Sequence, residues 1–201
     1  ATLSTGEGVE NQAFLKTALK KLRQANKRLH RRQLGSKNRE KARRQVARLH
    51  YRITCLRDDA LHKVTTRLAE SYGIIGVETL NLKGLLKNRR LARSFADASL
   101  GTLRRLLEAK VAQRGGQVVK VGRFFPSSKT CHCCGWKWED MTLKDRVFFC
   151  QNPSCPYYQF SQDRDHNAGQ NVLREALRLI GLLDQVATGT GSDDGVNLAV
   201  D

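Results

Sequence analysis

Two cysteine pairs constrain this chain more than any other feature. In "TCHCCGWKWEDMTLKDRVFFCQNPSC", Cys131 and Cys134 are separated by two residues and Cys150 and Cys155 by four, with "RVFF" reading as a strand before the second pair. Two such turns bring four thiolates onto one tetrahedral Zn²⁺ at about 2.3 Å per bond, and a four-thiolate site is closed, hence structural rather than catalytic. His132 and Cys133 are the alternative ligands in the first turn. A turn that aims Cys131 and Cys134 at one ion aims Cys133 elsewhere, so Cys133 is expected to be free. Cys55 falls at the border of a helical seam and is expected to be a small buried hydrophobe. The N-terminus lacks the basic-then-apolar layout of a signal peptide, and no apolar run approaches the roughly 20 residues needed to span a bilayer. The expectation is a cytoplasmic protein whose six cysteines are thiols or metal ligands, not disulfides.

Charge separates the rest of the chain into zones. The formal net charge is +17, from 36 Lys and Arg against 19 Asp and Glu. Such an imbalance selects polyanionic partners. Between Lys16 and Arg67 there are 18 Lys and Arg and three acids, Glu40, Asp58 and Asp59. In that segment Leu15, Leu19, Leu22, Asn26 and Leu29 step at helical spacing, "GSKN" interrupts, and Ala42, Val46, Leu49, Ile53, Leu56, Ala60, Val64 and Leu68 resume. This predicts a helical hairpin with a narrow coiled-coil-like seam, whose outer faces stay open to phosphates. From Leu183 onward the chain carries four Asp and no base and is rich in Gly, which predicts a disordered tail.

After the hairpin, short apolar runs alternate with helices. "GIIGVETL" and "QVVKV" read as buried strands, with the amphipathic "SLGTLRRLLEAKVAQRG" between them, and the class is α/β. Glu78 closes the first strand, where an unpaired carboxylate is costly to bury; it is either a functional acid or a surface carboxylate at a strand end. Asp163 and Asp165 in "DRDHNAGQN" stand where an N-cap and its neighbours belong, ahead of an apolar helix. A cap and a metal site are both compatible with that spacing. Trp136, Trp138, Phe124 and Phe125 either stack on bases or form the small core that aromatics flanking a zinc site usually supply.

"VETLNLKGLLKNRRLARSFADAS", "RFFPSSKTCHCCG" and "DRDHNAGQN" together resemble the C-terminal half of TnpB, the OrfB protein of insertion sequences, over roughly residues 1–182. That family is in turn similar to guided effector nucleases with a RuvC-type, RNase H-like domain. The resemblance implies an α/β fold: an incomplete RNase H-like (RuvC-type) domain with a helical-hairpin insertion and an inserted zinc ribbon. Its parts would be residues 1–125 for the core and hairpin (the latter about 14–71), 126–160 for the ribbon and 161–182 for the last acidic motif and helix, followed by the tail.

The resemblance also implies chemistry. The family cleaves DNA with an acidic triad that holds divalent metals; Glu78 matches its second acid, Asp165 its third, and Asp163 is the neighbour of the third. Bridging carboxylates place paired Mg²⁺ or Mn²⁺ ions so that one activates water and the other stabilises the leaving oxygen. The triad's first Asp and the guide-binding region would precede "ATLSTGEGVEN", so the expectation is a truncated form that binds DNA and a guide-type RNA and does not cleave alone. Two alternatives are a divalent-metal endonuclease active once complemented or extended, and a non-cleaving zinc-ribbon DNA-binding regulator. Lys37, Arg39, Arg43, Arg44, Arg48, Lys87, Arg89 and Arg90 are the expected nucleic-acid contacts. Zn²⁺ is the expected structural cofactor, with Mg²⁺ or Mn²⁺ only where the acidic site is completed.

Overall fold

Ile74, Ile75 and Val77 are the β-branched residues that make β1 (Ile74–Glu78) a strand, and its middle is buried on both faces, as a parallel strand under helices requires. In the computed structural model, which describes residues 2–9, 13–81, 84, 87, 92, 97–142, 144–183 and 198–200, the chain forms two units. One comprises Ala1–Glu10, Thr66–Asn81 and Leu107–Asp201; the other comprises Asn11–Thr65 and Leu82–Leu106.

The first unit is built on β1. Strand β2 (Gln117–Val121) pairs parallel with it, with Ile74 opposite Gln117 and Glu78 opposite Val121. The connection runs through a helix that ends at Gln113, the crossover that parallel pairing demands. Val119 and Val121 from β2 close a core with Val172 and Ala176 from the helix Arg164–Leu179. That helix lies directly on β1. A Cβ at Gly76 would come within 2.9 Å of the Ala176 methyl and 3.3 Å of the Val172 carbonyl, so only glycine permits the approach. On its other edge β1 pairs parallel with Leu198–Val200, a strand inside the segment expected to be a disordered tail. Residues 184–197 of that segment lie outside the described residues. The mixed helix and strand composition agrees with the α/β expectation.

The second unit is the hairpin. Here α1 (Phe14–His30) is followed by a turn in which the Ser36 hydroxyl accepts from the Arg39 N–H at 3.1 Å, capping α2 (Lys37–Ser71), whose last residues belong to the first unit. The seam follows the sequence pattern through Leu22 and Ile53, which are buried. It departs at Leu56, which is exposed. The neighbouring Arg57 takes the inward position because the buried carboxylate of Asp97 lies 2.7 Å from its guanidinium. Asp97 also accepts from the Leu15 N–H at 3.0 Å, serving as the cap that α1 lacks of its own. Cys55 is exposed, contrary to the expectation of a buried thiol, since it shares the outward face with Leu56. Among the described residues no helix is long and apolar enough to cross a membrane. The crossover helix before β2 is α3 (Leu100–Gln113), the helix on the sheet is α4 (Arg164–Leu179), and the terminal strand is β5 (Leu198–Val200).

Candidate metal centre and nucleic-acid surface

The cysteine module is held by short turns on either side of β3 (Val147–Phe149), which pairs antiparallel with β4 (Ser161–Asp163). At the first turn the Gly135 N–H donates to the Cys131 carbonyl at 2.9 Å. Gly135 has φ +76°, the left-handed conformation that lets the turn curl its sulfurs inward. At the second, the Cys155 N–H donates to the Asn152 carbonyl at 3.0 Å. The result is convergence: the sulfurs of Cys131, Cys134, Cys150 and Cys155 lie within 4.8 Å of one another. The Cys131–Cys155 and Cys134–Cys150 separations are 3.8 and 3.5 Å. A tetrahedron with bonds of about 2.3 Å has edges of about 3.8 Å, so the donor set fits a tetrahedral, thiophilic ion. The Tyr157 N–H points at the Cys155 sulfur from 3.4 Å, an interaction that stabilises thiolate charge around a metal. Cys133 lies outside the group, and the His132 ring faces Asn167 Oδ1 at 3.1 Å. Both alternative ligands of the first turn are thereby accounted for.

Burial pushes the Cys131 and Cys150 thiols up. Burial acts the same way on Cys134, but hydrogen bonds from the Trp136 backbone and the Asn152 side chain outweigh it and bring that thiol down to about 7. Each sulfur must lose its proton to ligate, so metal binding strengthens as pH rises and weakens as acid returns the protons. Trp136 and Trp138 stand edge-on to Phe148 at 6.3 and 6.0 Å, which places them in the module's small core with buried Met141.

The candidate acids meet different surroundings. Glu78, half-buried at the end of β1, accepts a short hydrogen bond from the Ser127 hydroxyl. The Ser127 and Thr130 carbonyls in turn accept from the buried Asn171 amide of α4 at 2.8 and 2.6 Å. The Thr130 carbonyl also accepts from the Asn167 amide at 2.8 Å, so Asn171→Ala would take its side-chain partner from the Ser127 carbonyl alone, costing about 1–3 kcal/mol; a drop of that size in urea-unfolding stability with zinc content unchanged is the expected result. Asp163 is the N-cap of α4, accepting from the His166 N–H at 2.8 Å. Asp165 is exposed in the first turn and pairs with the Arg164 guanidinium at 2.9 Å. Asp163 thus caps the helix through Oδ1, and Asp165 is held by a neighbouring guanidinium. Sequence reasoning missed Ser127 and Asn171, because a hydroxyl on a carboxylate distant in the chain and an amide on backbone carbonyls leave no spacing signature.

On the hairpin, Lys37, Arg43, Arg44 and Arg48 are exposed, as is Lys87. Arg89 and Arg90 lie outside the described residues. Arg39 is half-buried and donates to the Leu29 and Arg32 carbonyls at 3.3 and 3.1 Å, tying α2 to the end of α1 and the turn after it. Arg43 and Arg44 share Glu40 at 2.9 and 3.2 Å. Hydrogen bonding from Arg43 is the main influence that holds the Glu40 carboxyl down at about 2. Such exposed pairs are weak, and one carboxylate leaves the two guanidiniums with a net positive charge.

Residues 1–89 match the OrfB family model described as "Probable transposase", and residues 101–172 match the "Cas12f1-like, TNB domain". The chain belongs to the TnpB family. A "Putative RNA-guided DNA endonuclease" of Streptomyces pristinaespiralis is 41% identical over 88% of this chain and 42% of its own length. The similarly described InsQ of Escherichia coli K12 is 30% identical over 94% of this chain and 49% of its own. The CRISPR-associated endodeoxyribonuclease Cas12f2 of a Micrarchaeota archaeon is 29% identical over 60% and 24%. The chain thus spans between about a quarter and a half of the length of these relatives.

Proposed function

We propose that residues 1–201 are the nucleic-acid-binding and RuvC-type nuclease part of a TnpB-family DNA endonuclease, with an RNase H-like core and a structural Zn²⁺ on Cys131, Cys134, Cys150 and Cys155. Glu78 and Asp165 are two of the acids of a Mg²⁺ or Mn²⁺ site, and the third is supplied from outside these residues. The observation that carries this reading is the link from Glu78 through Ser127 to Asn171. It ties the strand bearing one acid to the helix bearing the other. The endonuclease descriptions of the relatives support the same assignment. Among the described residues the four cysteines are the only group of three or more ligand-type side chains that converges. Without that third acid, the chain on this reading binds DNA and a guide-type RNA and does not cleave alone. A second reading, a DNA-binding regulator without nuclease chemistry, is favoured by the Arg164 guanidinium on Asp165, which a metal ion would have to displace.

Binding is tested by its salt dependence. Affinity for duplex DNA is expected to fall steeply with salt, and charge reversal of Arg43, Arg44 and Arg48 to lower the log–log slope by about 0.9 for each phosphate that is no longer neutralised. An unchanged slope would place the phosphate-binding residues elsewhere. Incubation of the unextended chain with DNA and Mn²⁺ is expected to leave the DNA intact, and metal-dependent cleavage would refute the need for an outside acid.

A further inference from the structure

Of the four aromatic residues Phe124, Phe125, Trp136 and Trp138, Phe124 is the one with no place in a core. Trp136 and Trp138 pack on Phe148, and Phe125 packs against the core shared by β2 and α4. Phe124 is 90% exposed. It lies on a turn just after β2, closed by the Phe125 N–H on the Gly122 carbonyl at 3.0 Å. The Arg123 guanidinium lies 5.9 Å from the centre of its ring, within cation–π range. Leaving a phenyl ring in water forgoes the stabilisation that burying it would give, so the fold does not account for its position.

The turn borders a cleft of about 210 Å³ lined by Glu78, Asn81, Val121, Gly122, Arg123 and Ser127. This cleft opens at the carboxyl ends of the parallel strands β1 and β2, where Glu78 stands opposite Val121; parallel sheets habitually receive ligands there. An aromatic face accepts a base of any sequence, and a guanidinium beside it accepts a phosphate. Bases within a duplex are already stacked and unavailable to such a platform. The geometry points to Phe124 as a stacking platform for an unpaired nucleobase, with Arg123 taking a phosphate of the same single strand, at the mouth of the Glu78 cleft. This rests on the nucleic-acid-binding reading above and adds to it the form of strand that approaches Glu78.

The test uses the full chain, fluorescently labelled single-stranded and duplex oligonucleotides of one sequence, and anisotropy. Phe124→Ala is expected to weaken single-strand binding about 5- to 150-fold, the range for loss of one stacked base, with duplex binding unchanged. Phe124→Trp is expected to restore it. A single strand with abasic sites should bind the parent chain more weakly than the intact strand, while Phe124→Ala should no longer distinguish the two. Equal single-strand affinity for Phe124→Ala and the parent chain would overturn the platform, as would equal losses on single strand and duplex. Failure of the parent chain to bind either oligonucleotide would overturn the nucleic-acid-binding reading itself, and the platform with it.

Discussion

Cys150→Ser is expected to empty the four-sulfur centre and unfold the segment around it. The parent chain should carry one zinc ion, read by atomic absorption, and the variant close to none. The module's core consists of Phe148, Met141 and the cysteines themselves, with Trp136, Trp138 and Cys133 at its edge, too little apolar surface to hold so short a segment closed. Zinc contributes about 10–16 kcal/mol to such sites, so loss of one thiolate removes most of what keeps the turns together. Limited proteolysis should then cut between Cys131 and Cys155, where the parent chain resists. Cys133→Ser should keep both metal and resistance, because Cys133 lies outside the converging group. Unchanged zinc content in Cys150→Ser would remove the assignment of the centre. Acidification should release the metal from the parent chain as the sulfurs regain their protons.

The features legible in the sequence are those encoded by local spacing. The cysteine pairs converge because two turns and one strand suffice to bring them together. The hairpin seam is readable at Leu22 and Ile53 because helical periodicity fixes which face a residue takes. Where structure and sequence pattern part, a partner distant in sequence decides the outcome. Leu56 and Cys55 face outward because Asp97, forty positions beyond Arg57, draws that arginine into the seam. The role of Asp163 is ambiguous in the sequence because capping and metal binding both favour a carboxylate at a helix start; its Oδ1 accepts from the His166 N–H and so caps the helix. Leu198–Val200 carries no strand signal, since three residues between Asn197 and Asp201 are too few to show a period. Its pairing depends on the edge that β1 offers.

A second large effect is expected in a protein that carries the proposed third acid. Fusion of an Asp-bearing strand and the family's guide-binding region ahead of Ala1, loaded with guide RNA, should give Mg²⁺- or Mn²⁺-dependent DNA cleavage. Glu78→Ala or Asp165→Ala in that protein should lower the rate about a thousandfold or more. Loss of a carboxylate that aligns the ions removes several kcal/mol of charge stabilisation at the scissile phosphate, and about 4 kcal/mol corresponds to three powers of ten. DNA affinity should hold within about twofold, because phosphate binding by Lys and Arg dominates affinity. Asp163→Asn should retain most of the rate, since asparagine caps a helix as well as aspartate does. Full cleavage by Asp165→Ala would leave that residue no role in metal binding.

If Glu78 and Asp165 act as parts of one metal site, single-turnover cleavage by the extended protein will show it. Residues that hold a common ion act as a unit, so their rate losses are strongly non-additive. The double variant Glu78→Gln, Asp165→Asn is therefore predicted to cleave within a few-fold of the slower single variant. Losses that multiply would show that the two carboxylates act independently and do not share an ion.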